Sequence, residues 1–228
     1  MSRWQGSLFV AGTPAVRVGA PTERIELDAT SWIDLTRGFL DGADDVCASL
    51  LERVPWRQHR RRMYDRVLDD PRLSHWYRAD APPPHPVLDE VRAALAERYD
   101  RPFGGPGLNL YRDGRDSVAP HRDRELRRLE DTMVAVLTLG ARRPFLVRPH
   151  RGGRSIDVSP ASGDLLVMGG RCQLDWEHGV PKVARCGTRI SASWRWTNQC
   201  GAHTVDTTVL GERVDHDDGA DPGPSAGP

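Results

Sequence analysis

Hydrophobic positions recur along this chain at two spacings. Val46, Leu50, Leu51 and Val54 recur at helical spacing, and Asp44 and Asp45 fall where carboxylates suit a first turn. A helix is predicted over Ala43–Val54, ended by Pro55. Val87, Leu88, Val91 and Leu95 share one face of a second predicted helix, Val87–Tyr99, whose other face carries Asp89, Glu90, Arg92 and Glu97. From Leu108 the period drops to two. Leu108, Leu110 and Arg112 face one way, Asn109 and Tyr111 the other, which predicts a strand. Thr132–Leu139, Pro144–Arg148, Ser155–Val158, Asp164–Met168 and Arg189–Trp196 follow as β-rich runs with Gly and Pro between them. Short strands with regular turns predict a sandwich or jelly roll, mainly β with flanking helices. Residues 1–30 show no clear period and read as irregular, with short extended pieces at Ser7–Val10 and Val16–Val18 and with Trp4 and Phe9 pinning the arm. Residues 212–228 read as a disordered acidic tail.

Composition narrows the picture only a little. A chain of 228 residues buries a sizeable core, and one domain with extensions is expected. The formal net charge is zero, so nucleic-acid binding would need a local patch rather than a global field. Lys182 is the one lysine; every other basic side chain apart from histidine is arginine. The four cysteines, Cys47, Cys172, Cys186 and Cys200, form no CxxC. A zinc site from Cys186, Cys200 and His203 is conceivable, but its ligand spacing is poor. Free thiols in a reducing cytosol are the default. Neither a leader nor an apolar run long enough to cross a bilayer is visible, and a cytoplasmic protein is expected.

The chemistry concentrates around His121 and Asp123. Pro120 keeps the residue before it extended, and side chains two apart on extended backbone point to one side. One imidazole and one carboxylate are two parts of a facial triad for non-haem Fe(II), and His178 is the candidate third. H-x-D alone is weak. What strengthens it is Arg189 and Arg195, six apart on one predicted strand and so on one face. Paired guanidiniums suit a dicarboxylate, and a triad beside them fits a metal-bound keto acid. Upstream, Arg57, Arg60, Arg61, Arg62 and Arg66 interleave with Trp56, Tyr64, Trp76 and Tyr77. That run reads either as a solvated charged surface or as a nucleic-acid contact.

These residues carry a family resemblance. Asn109-x-Tyr111-Arg-x-Gly114, His121-x-Asp123, His178-x-Val-Pro-Lys182 and Arg189-Ile-Ser-x-x-x-Arg195 together resemble the AlkB family of Fe(II)- and 2-oxoglutarate-dependent dioxygenases, over about Trp56 to Arg195. The resemblance implies a double-stranded β-helix with iron at one open end. It implies oxidative dealkylation of N-alkylated bases in DNA or RNA with 2-oxoglutarate and O2, releasing an aldehyde, succinate and CO2. His121, Asp123 and His178 would bind the metal. Arg189 with Tyr111 would hold the far carboxylate of 2-oxoglutarate, and Arg195 with Asn109 its iron-side end. Residues 56–80 would be a nucleotide-recognition lid within an N-terminal extension, 1–105, ahead of a catalytic core, 106–200. In that lid Arg72 belongs to a Pro-Arg pair, Tyr77 matches a base-stacking tyrosine, and Tyr64 sits where a relative carries a wedge aromatic. Glu125 matches an acidic residue that contacts the base, and Arg61, Arg62 and Arg66 would hold phosphates. A monomer with no membrane partner is expected. The competing readings are a hydroxylase of a protein or small molecule on the same core, and a catalytically inactive nucleic-acid binder.

Overall fold

The period-two runs build two facing sheets. The structure, a computed structural model, describes residues 13–63 and 66–198, with the backbone alone for 61–63 and 66–67. The elements in chain order are β1 (Ala15–Val16), β2 (Thr22–Glu26), β3 (Ser31–Thr36), β4 (Leu40–Asp41), α1 (Ala43–Arg53), β5 (Arg60–Met63), β6 (Arg66–Asp69), β7 (Leu73–Trp76), α2 (Val87–Tyr99), β8 (Gly107–Tyr111), β9 (Val118–His121), β10 (Thr132–Gly140), β11 (Leu146–Pro149), β12 (Ile156–Asp157), β13 (Leu165–Gly170), α3 (Cys172–Asp175), β14 (Trp176–Val180) and β15 (Arg189–Thr197). The large sheet runs β2-β3-β13-β10-β15-β8-β7 and the small one β12-β11-β14-β9, every neighbouring pair antiparallel. This is the expected mainly-β jelly roll.

Alternation divides the core in two. On β15 Ile190, Ala192, Trp194 and Trp196 pack with Val46 and Leu50 of α1 and Val91 and Leu95 of α2. On β10 Ala135, Leu137 and Leu139 join them, whereas Val134 and Val136 enter the layer between the sheets with Tyr111, Phe145, Val147 and Val180. Both faces of the large sheet are therefore covered, so its central strands read as nearly continuous apolar runs. The odd positions of β15 are the exception. Ser191, Ser193 and Arg195 face a cavity between the sheets, and that polar face marks the functional side.

The irregular stretch expected up to residue 30 is corrected. β2 lies at one edge of the large sheet, hydrogen-bonded to β3. Its sequence, Thr-Glu-Arg-Ile-Glu, hides the strand because only Ile25 packs inward and Arg24 reaches across to Asp34 at 2.7 Å. At the other edge β7 pairs with β8, so three of the seven strands precede residue 105 and the proposed division there falls within one sheet. The β5–β6 hairpin stands apart as its own two-stranded sheet. Residues 7–10 and 212–228, with Trp4, Phe9, Cys200 and His203, lie outside the described residues.

Candidate active site

His121 and His178 meet because β9 and β14 are neighbours with these two residues in register. Between them and Val180 the register shifts, and Gly179 fills the shift: a Cβ there would sit 3.0 Å from Val118 O and Pro120 N. The strand ends at His121, and the chain turns so that Asp123 O accepts from the Leu126 and Arg127 amides. One donor atom each from His121, Asp123 and His178 then lies within 4.8 Å of the others. Asp123 Oδ1 is 3.5 Å from His121 Nε2 and 3.8 Å from His178 Nε2. Ligands adjacent on an octahedral ion sit about 3 Å apart, so slight closure would bring the carboxylate and each imidazole to Fe(II) spacing. The other oxygen, Oδ2, accepts from Arg195 Nε at 2.7 Å, which leaves Asp123 a single oxygen for metal. His121 Nδ1 lies 2.9 Å from Ala119 O; donating there fixes the tautomer that frees Nε2.

Sequence reasoning missed a support beneath this cluster. Gln173 on α3 is fully buried, and its Oε1 accepts from the Asp123 amide at 2.8 Å. Arg122 Nη1 donates to Leu174 O at 2.7 Å, a second tie between the same two segments. Phe145 stacks on the His178 ring at 5.7 Å and 15°. No local motif announces these partners; only the fold brings residue 173 to residue 123.

The electrostatics favour metal-ready protonation states. Burial alone would raise the Asp123 carboxyl, but Arg195 and the two imidazoles overcome it and hold it far below the usual carboxylate range. Burial, aided by His121 and Arg195, drives His178 from 6.5 down to about 3, so its imidazole is neutral at pH 7. The folded histidine refuses a proton that the unfolded one accepts. Below 6.5 the unfolded chain therefore binds more protons, and stability falls as the pH falls. We expect metal-free protein to lose melting temperature from about pH 6.5 downward toward 3, and His178→Gln to flatten that slope. An identical slope in the variant contradicts the assignment.

Beside the triad lies a cavity of about 330 Å³, the size range of small-ligand pockets. Tyr111, Asn109 and Arg195 line it. Arg189, fully buried behind them, donates to Ser191 Oγ and to Thr138 Oγ1, and its Nε has no partner. Its guanidinium lies 5.3 Å from the Tyr111 ring centroid. An orphaned donor on a buried cation behind the cavity-lining Tyr111 fits a carboxylate-bearing co-substrate. Arg195 Nε is 3.3 Å from Glu125 Oε1, yet its one hydrogen goes to Asp123, so Glu125 keeps an oxygen without a hydrogen bond.

The residues expected to meet substrate separate. Arg72 lines the cavity but is tied back, its Nε donating to Asn109 Oδ1 at 2.9 Å. Glu125 lines it too. Tyr77 does not: it packs edge-on against His75 at 4.7 Å and against the helix-side core. Trp76, one residue earlier, supplies the cavity's aromatic wall, braced by His59 at 5.2 Å. Strand β7 explains the exchange, since successive side chains there take opposite faces. Arg61, Arg62 and Arg66 lie on the β5–β6 hairpin by backbone, their side chains outside the described part, and Tyr64 lies outside the described residues. Of the conceived zinc ligands only Cys186 is described; it is a free thiol, as are the buried Cys47 and Cys172.

A double-stranded β-fold with two histidines, one aspartate and a buried arginine defines the 2-oxoglutarate-dependent iron oxygenases as a class. The model of the 2OG-Fe(II) oxygenase superfamily matches residues 40–204. The mouse alpha-ketoglutarate-dependent dioxygenase alkB homolog 3 is 33% identical over 201 residues, 77% of this chain and 70% of that protein. The mouse DNA oxidative demethylase ALKBH2 is 31% identical over 119 residues, 48% of this chain and 50% of that one, so the chain spans half of that relative. A Trichoplax adhaerens prolyl hydroxylase, solved with a hypoxia inducible factor peptide, shares the fold at TM-score 0.56 and 10% identity, covering 73% of this chain and 84% of its own. The chain belongs to the AlkB family of 2OG-Fe(II) oxygenases. It is a dioxygenase, with Fe(II), 2-oxoglutarate and O2 as its cofactor and co-substrates. Among the described residues no helix is long and apolar enough to cross a membrane.

Proposed function

We propose that this enzyme removes alkyl groups oxidatively from N-alkylated bases in DNA or RNA, working as a monomer. The observation that carries the reading is the cavity wall: the triad shares one opening with an aromatic plane, Trp76, a carboxylate, Glu125, and an arginine, Arg72. A flat cationic base calls for the first two of these: stacking on the plane and attraction to the carboxylate. A 31% identical relative named a DNA oxidative demethylase points the same way. Free thiols at Cys47, Cys172 and Cys186 support a reducing compartment, the cytoplasm, as its place of work.

Each residue then has a task. His121 Nε2, His178 Nε2 and Asp123 Oδ1 would hold Fe(II), and Arg195 keeps Asp123 ionised and aimed. Arg189, buried behind the cavity, and Tyr111 would grip the distal carboxylate of 2-oxoglutarate, and Asn109 and the remaining N–H groups of Arg195 would meet its iron-side end. Bound Fe(II), 2-oxoglutarate and O2 supply the oxidant that hydroxylates the alkyl carbon. The hydroxyalkyl group then leaves its ring nitrogen as an aldehyde, with succinate and CO2 formed alongside. The protein's share is to place that carbon over the triad and keep other groups away.

A base within a duplex must leave the stack to reach the cavity, at a cost of a few kcal/mol. The segment 56–80 is assigned as the nucleotide-recognition lid. Arg61, Arg62 and Arg66 would hold phosphates on it, and Tyr64 would fill the vacated stack. Base–aromatic stacking contributes about 1–3 kcal/mol per base. Trp76→Ala is therefore expected to raise KM for an oligonucleotide carrying one N-methylated base on the order of tenfold. Oligonucleotide-independent 2-oxoglutarate binding should not change. The reading is tested by 2-oxoglutarate turnover with and without that oligonucleotide. Stimulation by the methylated strand supports it, and stimulation by neither a methylated nor an unmodified strand sinks it.

A further inference from the structure

Arg143, in the connection between β10 and β11, is 1% exposed, an unusual depth for a cation. Its Nη1 donates to Asp113 O at 2.9 Å, and its Nη2 to Asp116 O at 2.9 Å and Pro181 O at 2.6 Å. The first two carbonyls belong to the loop after β8, the third to the loop after β14. One guanidinium thus ties the end of the strand that carries Tyr111 to the end of the strand that carries His178. The two loops lie in direct contact: Val183 N donates to Gly114 O at 2.9 Å, and a Cβ at Gly114 would lie 2.2 Å from Val183 O.

The charge matters as well as the clamp. Arg143 lies 5.8 Å and Arg189 5.3 Å from the centroid of one ring, that of Tyr111. Neither guanidinium has a carboxylate partner among the described residues: Arg143 meets carbonyls and Arg189 hydroxyls. Each keeps a buried Nε with no hydrogen bond. Buried charges are normally paired, so two unpaired cations around one tyrosine describe a site completed by an anion. Burial depresses the Arg189 guanidinium, and Arg143 adds to that depression against the opposing pull of Tyr111.

We propose that Arg143 is a positioning residue for the dicarboxylate co-substrate. It fixes Tyr111 from behind and adds a second buried positive charge, so the cavity selects 2-oxo acids that carry a distal carboxylate. Arg143 does not line the cavity and makes no direct contact there; it acts through Tyr111, Arg189 and the two loops. The proposal rests on the assignment of 2-oxoglutarate to this cavity.

The test compares two ligands on the full chain by anaerobic calorimetry with Mn(II) in place of Fe(II). One is 2-oxoglutarate. The other is 2-oxobutanoate, which keeps the 2-oxo acid end and lacks the distal carboxylate. Arg143→Gln should weaken 2-oxoglutarate on the order of tenfold, the scale of a charge interaction across several ångströms of protein, and leave 2-oxobutanoate unchanged. Equal weakening of both acids makes Arg143 a structural clamp only and overturns the proposal, as does an unchanged 2-oxoglutarate affinity. If Arg143→Gln does not fold, Arg143→Lys decides. It keeps the charge without the three-carbonyl cap, so a 2-oxoglutarate affinity close to that of the wild type supports the proposal, and a loss by the same factor for both acids overturns it. A wild-type chain that binds neither acid refutes the co-substrate assignment itself, a result distinct from the others.

Discussion

Replacing Asp123 with alanine should abolish turnover and weaken Fe(II) binding at least on the order of 100-fold, the scale on which metal sites respond even to loss of outer partners. The carboxylate is the one anionic ligand between two imidazoles, and it is the group that Arg195 grips at 2.7 Å. Its loss also exposes a second cost. Arg195 is mostly buried, its side chain 16% exposed at the cavity, and removing one partner of a buried pair costs about 3–5 kcal/mol. Glu125, 3.3 Å from Arg195 Nε, can take over part of that pairing, so the lower end of the range is expected. Metal-free Asp123→Ala should therefore melt below the metal-free wild type. Asp123→Asn keeps the shape and loses the charge; it should lose metal as badly and stability somewhat less. Tight metal binding by either variant would remove Asp123 from the ligand set.

Arg189→Lys should weaken 2-oxoglutarate by roughly 10- to 100-fold, the loss of a charge-assisted hydrogen bond pair worth about 1.5–3 kcal/mol. Lysine keeps the charge but cannot present two coplanar donors, and its shorter reach would give up both hydroxyl partners, Ser191 and Thr138. Fe(II) binding should survive, because Arg189 touches none of the three metal-facing residues. Calorimetry separates the two: unchanged 2-oxoglutarate affinity, or a matching loss of metal, would place the distal carboxylate elsewhere.

What the chain discloses about itself follows from where its signals are local. The second helix is legible to the residue, Val87–Tyr99, because four apolar side chains mark one face. The polar positions of β15 are legible because parity alone puts Ser191, Ser193 and Arg195 on one side of a strand whose even positions are apolar. The His121-x-Asp123 pair is legible because Pro120 keeps the approach extended. Strand β2 is not, since an edge strand with a wet face carries little hydrophobic signal. The choice between Trp76 and Tyr77 turns on a single step of strand parity, and no neighbouring pattern in Leu73–Trp76 sets it. Gln173 and Arg143 are the least legible. Each acts on a partner about 30 to 50 positions away, through contacts that exist only after the sheets close.

One measurement addresses the proposed activity most directly. The enzyme, loaded with Fe(II) and 2-oxoglutarate in air, is given single- and double-stranded oligonucleotides carrying one N-methylated base, and the strand is weighed by mass spectrometry while formaldehyde and succinate are counted. The account predicts loss of one methyl group from the strand, with one formaldehyde and one succinate formed per base restored. Succinate without any change in the mass of the strand, at every methylated base and strand state tried, would contradict it.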